Sequence, residues 1–266
     1  MVGPSSPAGE EEEPPIPQVI IFAMNYSAGT YPDGGWAAWQ PTPSWKAEHL
    51  PGGGPGGRDA IELRQLANLG ARDFGGQFNW GWRENIEPSE HAVGTRRYYR
   101  WRMSFSDDSN FRGVSMDGEP SNITNKLLIV GQGCRTGRCR VILSYRTDRD
   151  SRRIGYFRLQ IDGGEDYVDT GSYERGRWLN VQVELRASTG ETAADGGYKV
   201  WINTDSYARP TAVRSDIVLH PANWGYVWFG GFNNDGLQAD GTHAFRHTDF
   251  VAAETFDNTW NRQSRP

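Results

Sequence analysis

From residue 97 onward, apolar and polar residues alternate along the chain. In 97–105, Tyr99, Trp101, Met103 and Phe105 fall on one parity, and Tyr98, Arg100, Arg102 and Ser104 on the other. Side chains at that period project to opposite faces of a β-strand, so each such run predicts a strand with one buried face. Similar runs cover 125–131, 140–146, 154–161, 178–185, 198–203, 212–219, 226–232 and 244–251, and an apolar stretch over 19–24 predicts a first strand. The segment 61–66 fits either a strand or one turn of helix. Asp162-Gly-Gly, Asp195-Gly-Gly and Asn234-Asp-Gly supply turns between runs. Many short strands without intervening helices predict an all-β sandwich or barrel, and the absence of an internal repeat disfavours a propeller or solenoid.

The first 17 residues contrast with this body. Residues 10–13 are four glutamates, and Pro14, Pro15 and Pro17 follow. Such a segment has too little apolar surface to fold alone and reads as a flexible acidic, proline-rich arm. The expected organisation is an arm over 1–17, a β-sandwich over 18–258 and a tail over 259–266. Self-assembly through the arm is one expectation that follows. The net charge is −5, of which the four glutamates supply −4, so the body is close to neutral. A near-neutral body lacks the broad positive field that draws a nucleic-acid backbone, so nucleic acid is not an expected partner. Of 28 basic residues, only Lys46, Lys126 and Lys199 are lysines. Arginine forks suit carboxylate and sulfate groups, although GC-rich coding also produces such a bias. No stretch is long or apolar enough to span a membrane. The N-terminus carries no signal-peptide pattern, which suits a trimmed exported protein or one released by another route, such as a virion component.

Four segments carry a family resemblance. In order they are Tyr98-Tyr-Arg-Trp-Arg-Met-Ser-Phe105, Asn125-Lys-Leu-Leu-Ile-Val-Gly-Gln132, Arg177-Trp-Leu-Asn-Val-Gln-Val-Glu-Leu185 and Gly197-Tyr-Lys-Val-Trp-Ile-Asn203. The chain resembles the concanavalin A-like lectin/glucanase superfamily, nearest to its heparin-lyase-like and alginate-lyase-like polysaccharide lyases. The resemblance implies a jelly-roll sandwich of two antiparallel sheets and a polysaccharide partner. It also implies motifs against which the chain can be matched. Ile61-Glu-Leu-Arg64 is similar to part of an Arg-x-Glu-Leu-Arg strand, with Ala60 in place of its first arginine. Gln132 stands where the family's glutamine would, with Gly133 and Cys134 replacing an Ile-His pair. Tyr167-Val-Asp-Thr-Gly-Ser-Tyr173 keeps the tyrosines and glycine of a Tyr-x-Lys-x-Gly-x-Tyr segment without its lysine.

β-Elimination of a uronate polymer needs a carboxylate neutraliser and a base for the C5 proton. If the chain is a lyase, Arg64 and Gln132 are the candidate neutralisers, with Arg158 beside them, and Tyr156 and Tyr173 the candidate bases. The glucanase arrangement of two glutamates flanking an aspartate on one strand does not occur. Binding asks for less. Arg100, Arg102, Arg146, Tyr156, Arg158 and Gln160 share outward parity on three predicted strands, with Gln132 and Ser144 as neighbours. On a single sheet they would form one strip able to grip acidic groups, and a solvated outer face is the alternative. Asn180, Gln182 and Glu184 read as such a solvated face. Trp80, Trp82, Trp224 and Trp228 are candidate sugar platforms or core.

Cys134 and Cys139 flank the tip of a predicted hairpin, within reach of a disulfide, which would imply an oxidising compartment. Asn233, Asp235 and Asp240 are weak candidates for a structural calcium ion, and no other cofactor is expected. His243 and His247 share parity with Asp249, but at strand spacing the histidines stand about 13 Å apart, too far for one ion. The leading expectation is a carbohydrate-recognition sandwich, extracellular or on a cell or virion surface, binding a polymeric acidic polysaccharide. A uronate-cleaving lyase and a virion or sheath subunit tethered by its arm are the alternatives.

Overall fold

Alternation over Arg96–Phe105 becomes a ten-residue strand whose apolar parity is fully buried: Tyr99, Trp101, Met103 and Phe105 are each at most 1% exposed. The computed structural model describes residues 17–24, 26, 37–38, 45–65, 77–83, 94–110, 112–114, 119–122, 124–131, 140–147, 153–161, 167–190, 192–204, 206–219, 226–233 and 236–260. Among these, the only helical element is a single 3-10 turn at Pro55–Gly57, and everything else regular is strand. The segment 61–66, open between strand and helix in the sequence, lies on a strand through Gln65.

The strands form two eight-stranded sheets and a small third one. The first, sheet A, runs in the order β16 (Ala212–Ile217), β15 (Gly196–Ile202), β14 (Leu179–Arg186), β6 (Arg96–Phe105), β19 (His243–Ala253), β4 (Ala60–Gln65) and β3 (Trp45–Leu50). Beyond the end of β4, β1 (Ile20–Ala23) pairs with the last residues of β19. The second, sheet B, runs β12 (Tyr167–Asp169), β11 (Arg153–Ile161), β10 (Val141–Thr147), β9 (Thr124–Val130), β17 (Tyr226–Asn233), β5 (Gln77–Arg83) and β2 (Ala37–Ala38), with β13 (Tyr173–Glu174) also on β11. A three-stranded sheet of β18 (Gly236–Leu237), β7 (Arg112–Val114) and β8 (Pro120–Asn122) stands beside them. All pairings are antiparallel.

The core lies between sheets A and B, where their apolar parities meet. Trp101 of β6 meets Phe229 of β17 edge-on at 5.3 Å, and Phe105 meets Tyr145 of β10 at 4.5 Å. Such edge-to-face contacts add to the area each ring removes from water. Polar groups cross the same core. Asn125 donates to the Tyr145 hydroxyl, Tyr145 meets His243 Nε2, and His243 Nδ1 meets Gln65 Oε1 at 3.0 Å. An amide oxygen only accepts, so Nδ1 carries the proton and Nε2 accepts from Tyr145. The relay ties β9 and β10 of one sheet to β19 and β4 of the other.

Two local departures shape the surroundings. The register of β19 against β6 shifts between Thr248 and Val251, and Asp249 there has a left-handed φ of 57°. This bulge turns the Asp249 carboxylate out of sheet A toward Arg58 and Arg102. At Gly197 on β15, a Cβ would stand 2.5 Å from the carbonyl oxygen of Arg214 on the neighbouring edge strand. Gly197→Ala is expected to lower the unfolding free energy by about 1–3 kcal/mol, read from the urea midpoint; an unchanged midpoint would show that the edge strand yields freely.

Candidate functional site

The outer face of sheet B is set by parity. Val141, Leu143 and Tyr145 of β10 and Phe157, Leu159 and Ile161 of β11 enter the core. Ile142, Ser144 and Arg146, and Tyr156, Arg158 and Gln160, therefore project outward. Cross-strand register places Arg146 opposite Tyr156, and Ser144 between Arg158 on one side and Lys126 of β9 on the other. Ile142 lies between Gln160 and Ile129, and Ile129 is next to Trp228 of β17. Ser144 and Ile142 are buried, while Lys126, Arg146, Tyr156, Arg158, Gln160 and Trp228 are half-buried around them. The result is a buried floor surrounded by cations and aromatic rings.

The charges on this face are not equivalent. Burial, and then the nearby Arg140 guanidinium, hold the Lys126 ammonium below the usual lysine range. Arg146 Nε is buried without a hydrogen-bond partner among the described residues. Arg158, by contrast, is committed: its Nε and Nη2 donate to the two oxygens of Asp169, both at 2.7 Å. Its guanidinium also lies over the rings of Tyr167 and Tyr156, at 3.9 and 5.4 Å from their centroids.

Arg100 and Arg102 are not part of this face, and the single strip expected from the sequence is corrected. Their strand, β6, belongs to sheet A, whose outer face points away from that of sheet B, with the core between them. Nor are they solvated. The segment 254–260 crosses over them, and Trp260 lies over the guanidinium groups of Arg100 and Arg102 at 5.2 and 4.0 Å. Arg102 donates to Asn180 Oδ1, Asp249 Oδ2 and the Trp260 carbonyl, and Arg100 to Gln18 Oε1. Asn180, Gln182 and Glu184, expected on a solvated face, are at most 7% exposed. Gln182 meets both the N–H and the C=O of Asp257, and Glu184 accepts from the hydroxyls of Tyr98 and Tyr207. The physical reason is a covering segment that strand periodicity does not reveal. Trp260 lies two residues beyond the expected end of the sandwich and is buried.

Of the lyase candidates, Tyr156 and Arg158 share the outer face of sheet B, and Arg64 and Tyr173 do not join them. Arg64 projects from the outer face of sheet A, paired with Glu62 and Asp108, and is on the far side of the sandwich from Tyr156. Tyr173 packs on Phe157 of the core at 5.5 Å, and burial raises its pKa, which leaves it poorly placed as a base for a bound polymer. Gln132, Cys134, Cys139, Asp235 and Trp224 lie outside the described residues. Asn233 ends β17, and Asp240 is paired with Arg112. Trp80 and Trp82 pair in register with Phe229 and Val227. His243 and His247 are fully buried, held by Tyr145 and Tyr26, and burial lowers each pKa to about 3.

Three residues of this face, Lys126, Tyr167 and Asp169, were not among the binding candidates of the sequence, although Tyr167 and Asp169 lie in the family-like segment. A signal existed for the first, because a lysine in a chain that otherwise uses arginine is itself informative. Tyr167 and Asp169 lie on a three-residue strand, too short for alternation to declare a face.

Neither family models nor curated protein sequences match the chain. Solved structures do. The endo-β-1,4-glucuronan lyase of the fungus Trichoderma reesei superposes with a TM-score of 0.58 at 9% identity, covering 90% of this chain and 98% of that one. A cellulose-induced protein gives 0.50 at 10% identity, covering 88% and 97%. The conserved carbohydrate esterase of the Shiga toxin-encoding bacteriophage phi24B gives 0.50 at 10% identity, covering 90% and 100%. At these identities the likeness is one of fold: the chain is built as the jelly-roll sandwich that polysaccharide lyases also use.

Proposed function

We propose that the outer face of sheet B binds a polymeric carbohydrate bearing acidic groups. The observation that carries this reading is the half-buried Arg146, whose Nε is buried without a partner among the described residues, opposite Tyr156 and one step diagonally from Lys126 across the β9–β10 ladder. A cation partly stripped of water gains strongly from an anionic acceptor, and charge-assisted bonds to carboxylate or sulfate are the strong ones. Tyrosine and tryptophan rings supply broad surfaces that stay rigid while a polymer lies across them. The structures alike in fold are named as a glucuronan lyase, a cellulose-induced protein and a carbohydrate esterase, which fits this reading. The same reading puts the protein outside the cell, at a cell surface or on a virion, where such polymers are met.

The test is co-sedimentation and affinity electrophoresis with alginate, polyglucuronate, heparin and a neutral β-glucan. Binding to the acidic polymers is expected to weaken as salt rises. Arg146→Met is expected to weaken it about tenfold or more, the worth of one hydrogen bond to a charged group. Equal, salt-independent binding of neutral and acidic polymers would remove the acidic part of the reading, and no binding at all would remove the whole.

A lyase reading has one observation in its favour. Near the neutral range, an amine depressed as Lys126 is holds a larger uncharged fraction than a free lysine, so more of it is available to accept a proton. It projects from the same face as Tyr156. New ultraviolet absorbance from an unsaturated sugar, lost in Lys126→Met, is the expected signature of cleavage. Binding without absorbance would leave a lectin-like module.

A further inference from the structure

Arg158 looks in sequence like an anion-binding fork on the outer face of sheet B. Its geometry assigns it another task. Both nitrogens that would grip a carboxylate are already donating to Asp169, in the paired geometry that guanidinium and carboxylate favour. The group also lies over the rings of Tyr167 and, farther off, Tyr156, and its side chain is only 15% exposed. A cation so enclosed has little left for a ligand. It instead steadies the rings it lies over, Tyr167 most closely, since a guanidinium over an aromatic face is attracted by the ring quadrupole.

Tyr167 is the beneficiary. It lies at the edge of sheet B on β12 and remains 46% exposed, one of the few large apolar groups left in water among the described residues. One side of its ring is stacked by Arg158, and Asp169, on the same short strand, anchors that arginine. A half-exposed ring held rigid from behind is a stacking surface whose ordering cost is met before any ligand arrives.

We infer that Tyr167, braced by the Asp169–Arg158 pair, is a stacking subsite for the apolar face of a pyranose ring in the bound polymer. This rests on the carbohydrate-binding reading of the same face and divides that face in two. Lys126 and Arg146 meet acidic groups, and the β12 edge meets ring carbons irrespective of charge. Across the sheet, Lys126 on β9 lies three strand steps from β12, about 14 Å, and Arg146 on β10 two steps, about 10 Å, at strand spacing. A ligand engaging both is therefore an oligomer, and affinity rises with chain length until that span is covered.

The experiment uses the full chain with size-graded polyglucuronate and cellohexaose, titrated at several salt concentrations. Tyr167→Ala is expected to weaken binding of both sugars roughly tenfold without changing the salt slope, and Tyr167→Phe to keep wild-type affinity. Asp169→Asn releases the Arg158 fork and is expected to steepen the salt dependence toward polyglucuronate alone. Wild-type binding with unchanged affinity in Tyr167→Ala would overturn the subsite and leave the binding reading standing. A change of salt slope in Tyr167→Ala would also overturn it. A wild-type chain that binds neither sugar at any length would bring down the binding reading and the subsite together.

Discussion

Arg102→Met is expected to lower the unfolding free energy by about 3–5 kcal/mol, the usual loss when one partner of a buried ion pair is removed. Arg102 has no exposed side-chain surface, and its three donor directions end on Asn180 Oδ1, Asp249 and the Trp260 carbonyl. Methionine would fill much of the space but leave the asparagine oxygen and the carbonyl buried without a donor. It would also remove the surface on which the Trp260 ring lies. Arg102→Lys tests the same point differently: one ammonium cannot face three fixed acceptors in a plane, so lysine is expected to recover only part of the loss. Urea unfolding monitored by tryptophan fluorescence reads both variants. A loss below about 1 kcal/mol in Arg102→Met would show that segment 254–260 holds without its arginine.

Acid is the second strong perturbation. In the folded chain, His243 and His247 keep their neutral forms down to about pH 3, whereas an unfolded imidazole titrates near 6.5. Below pH 6.5 the unfolded chain binds more protons than the folded one, so stability falls as pH falls and is flat above that range. Each histidine withdraws about 1.4 kcal/mol per pH unit once its unfolded form is mostly charged, so near pH 5 the pair approaches a slope of about 3 kcal/mol per unit. The structural cause is plain at His243, where Nε2 accepts from Tyr145. A proton on that nitrogen would set two donors against each other in the middle of the core. Glu62, held low in its pKa by Arg246 and Arg64 against its own burial, adds a loss in the same direction only at more acid pH. The window from pH 7 to 5 thus isolates the histidines. His243→Gln is expected to halve the slope there, and a wild-type urea midpoint that stays level from pH 7 to 5 would refute the assignment.

These two sites show what the alternation of the sequence reveals and where it stops. Parity separated Trp101 from Arg102 and Phe157 from Arg158 correctly, because the pleat of a strand is a local property. It could not tell that Arg102 and Arg158 belong to different sheets. That depends on pairings between residues far apart in the chain, such as β6 with β14 and β19. Nor could it tell what lies over a face. Arg100 and Arg102 have the same pattern as Arg146, yet the first two lie beneath residues 254–260 and Arg146 does not. The same blindness made Asn180, Gln182 and Glu184 look solvated. Buried polar groups satisfied by a passing backbone, as Gln182 is by Asp257, leave no trace in hydropathy. Committed charge is equally silent: Arg158 and Arg146 read alike until the two hydrogen bonds to Asp169 are seen.

The position of β19 carries a consequence for how the molecule is made. β19, the last strand among the described residues, lies in the middle of sheet A, between β6 on one side and β4 and β1 on the other. Until residues 243–253 leave the ribosome, the earlier strands of that sheet exist as two unjoined edges. Sheet B has no such dependence, since its last long strand, β17, ends at Asn233. During synthesis the nascent chain can therefore assemble the layer that bears the candidate binding face first. The opposite layer must wait with open edges, and a ribosome that stalls before residue 243 leaves a product with two strand edges ready to pair with a neighbour.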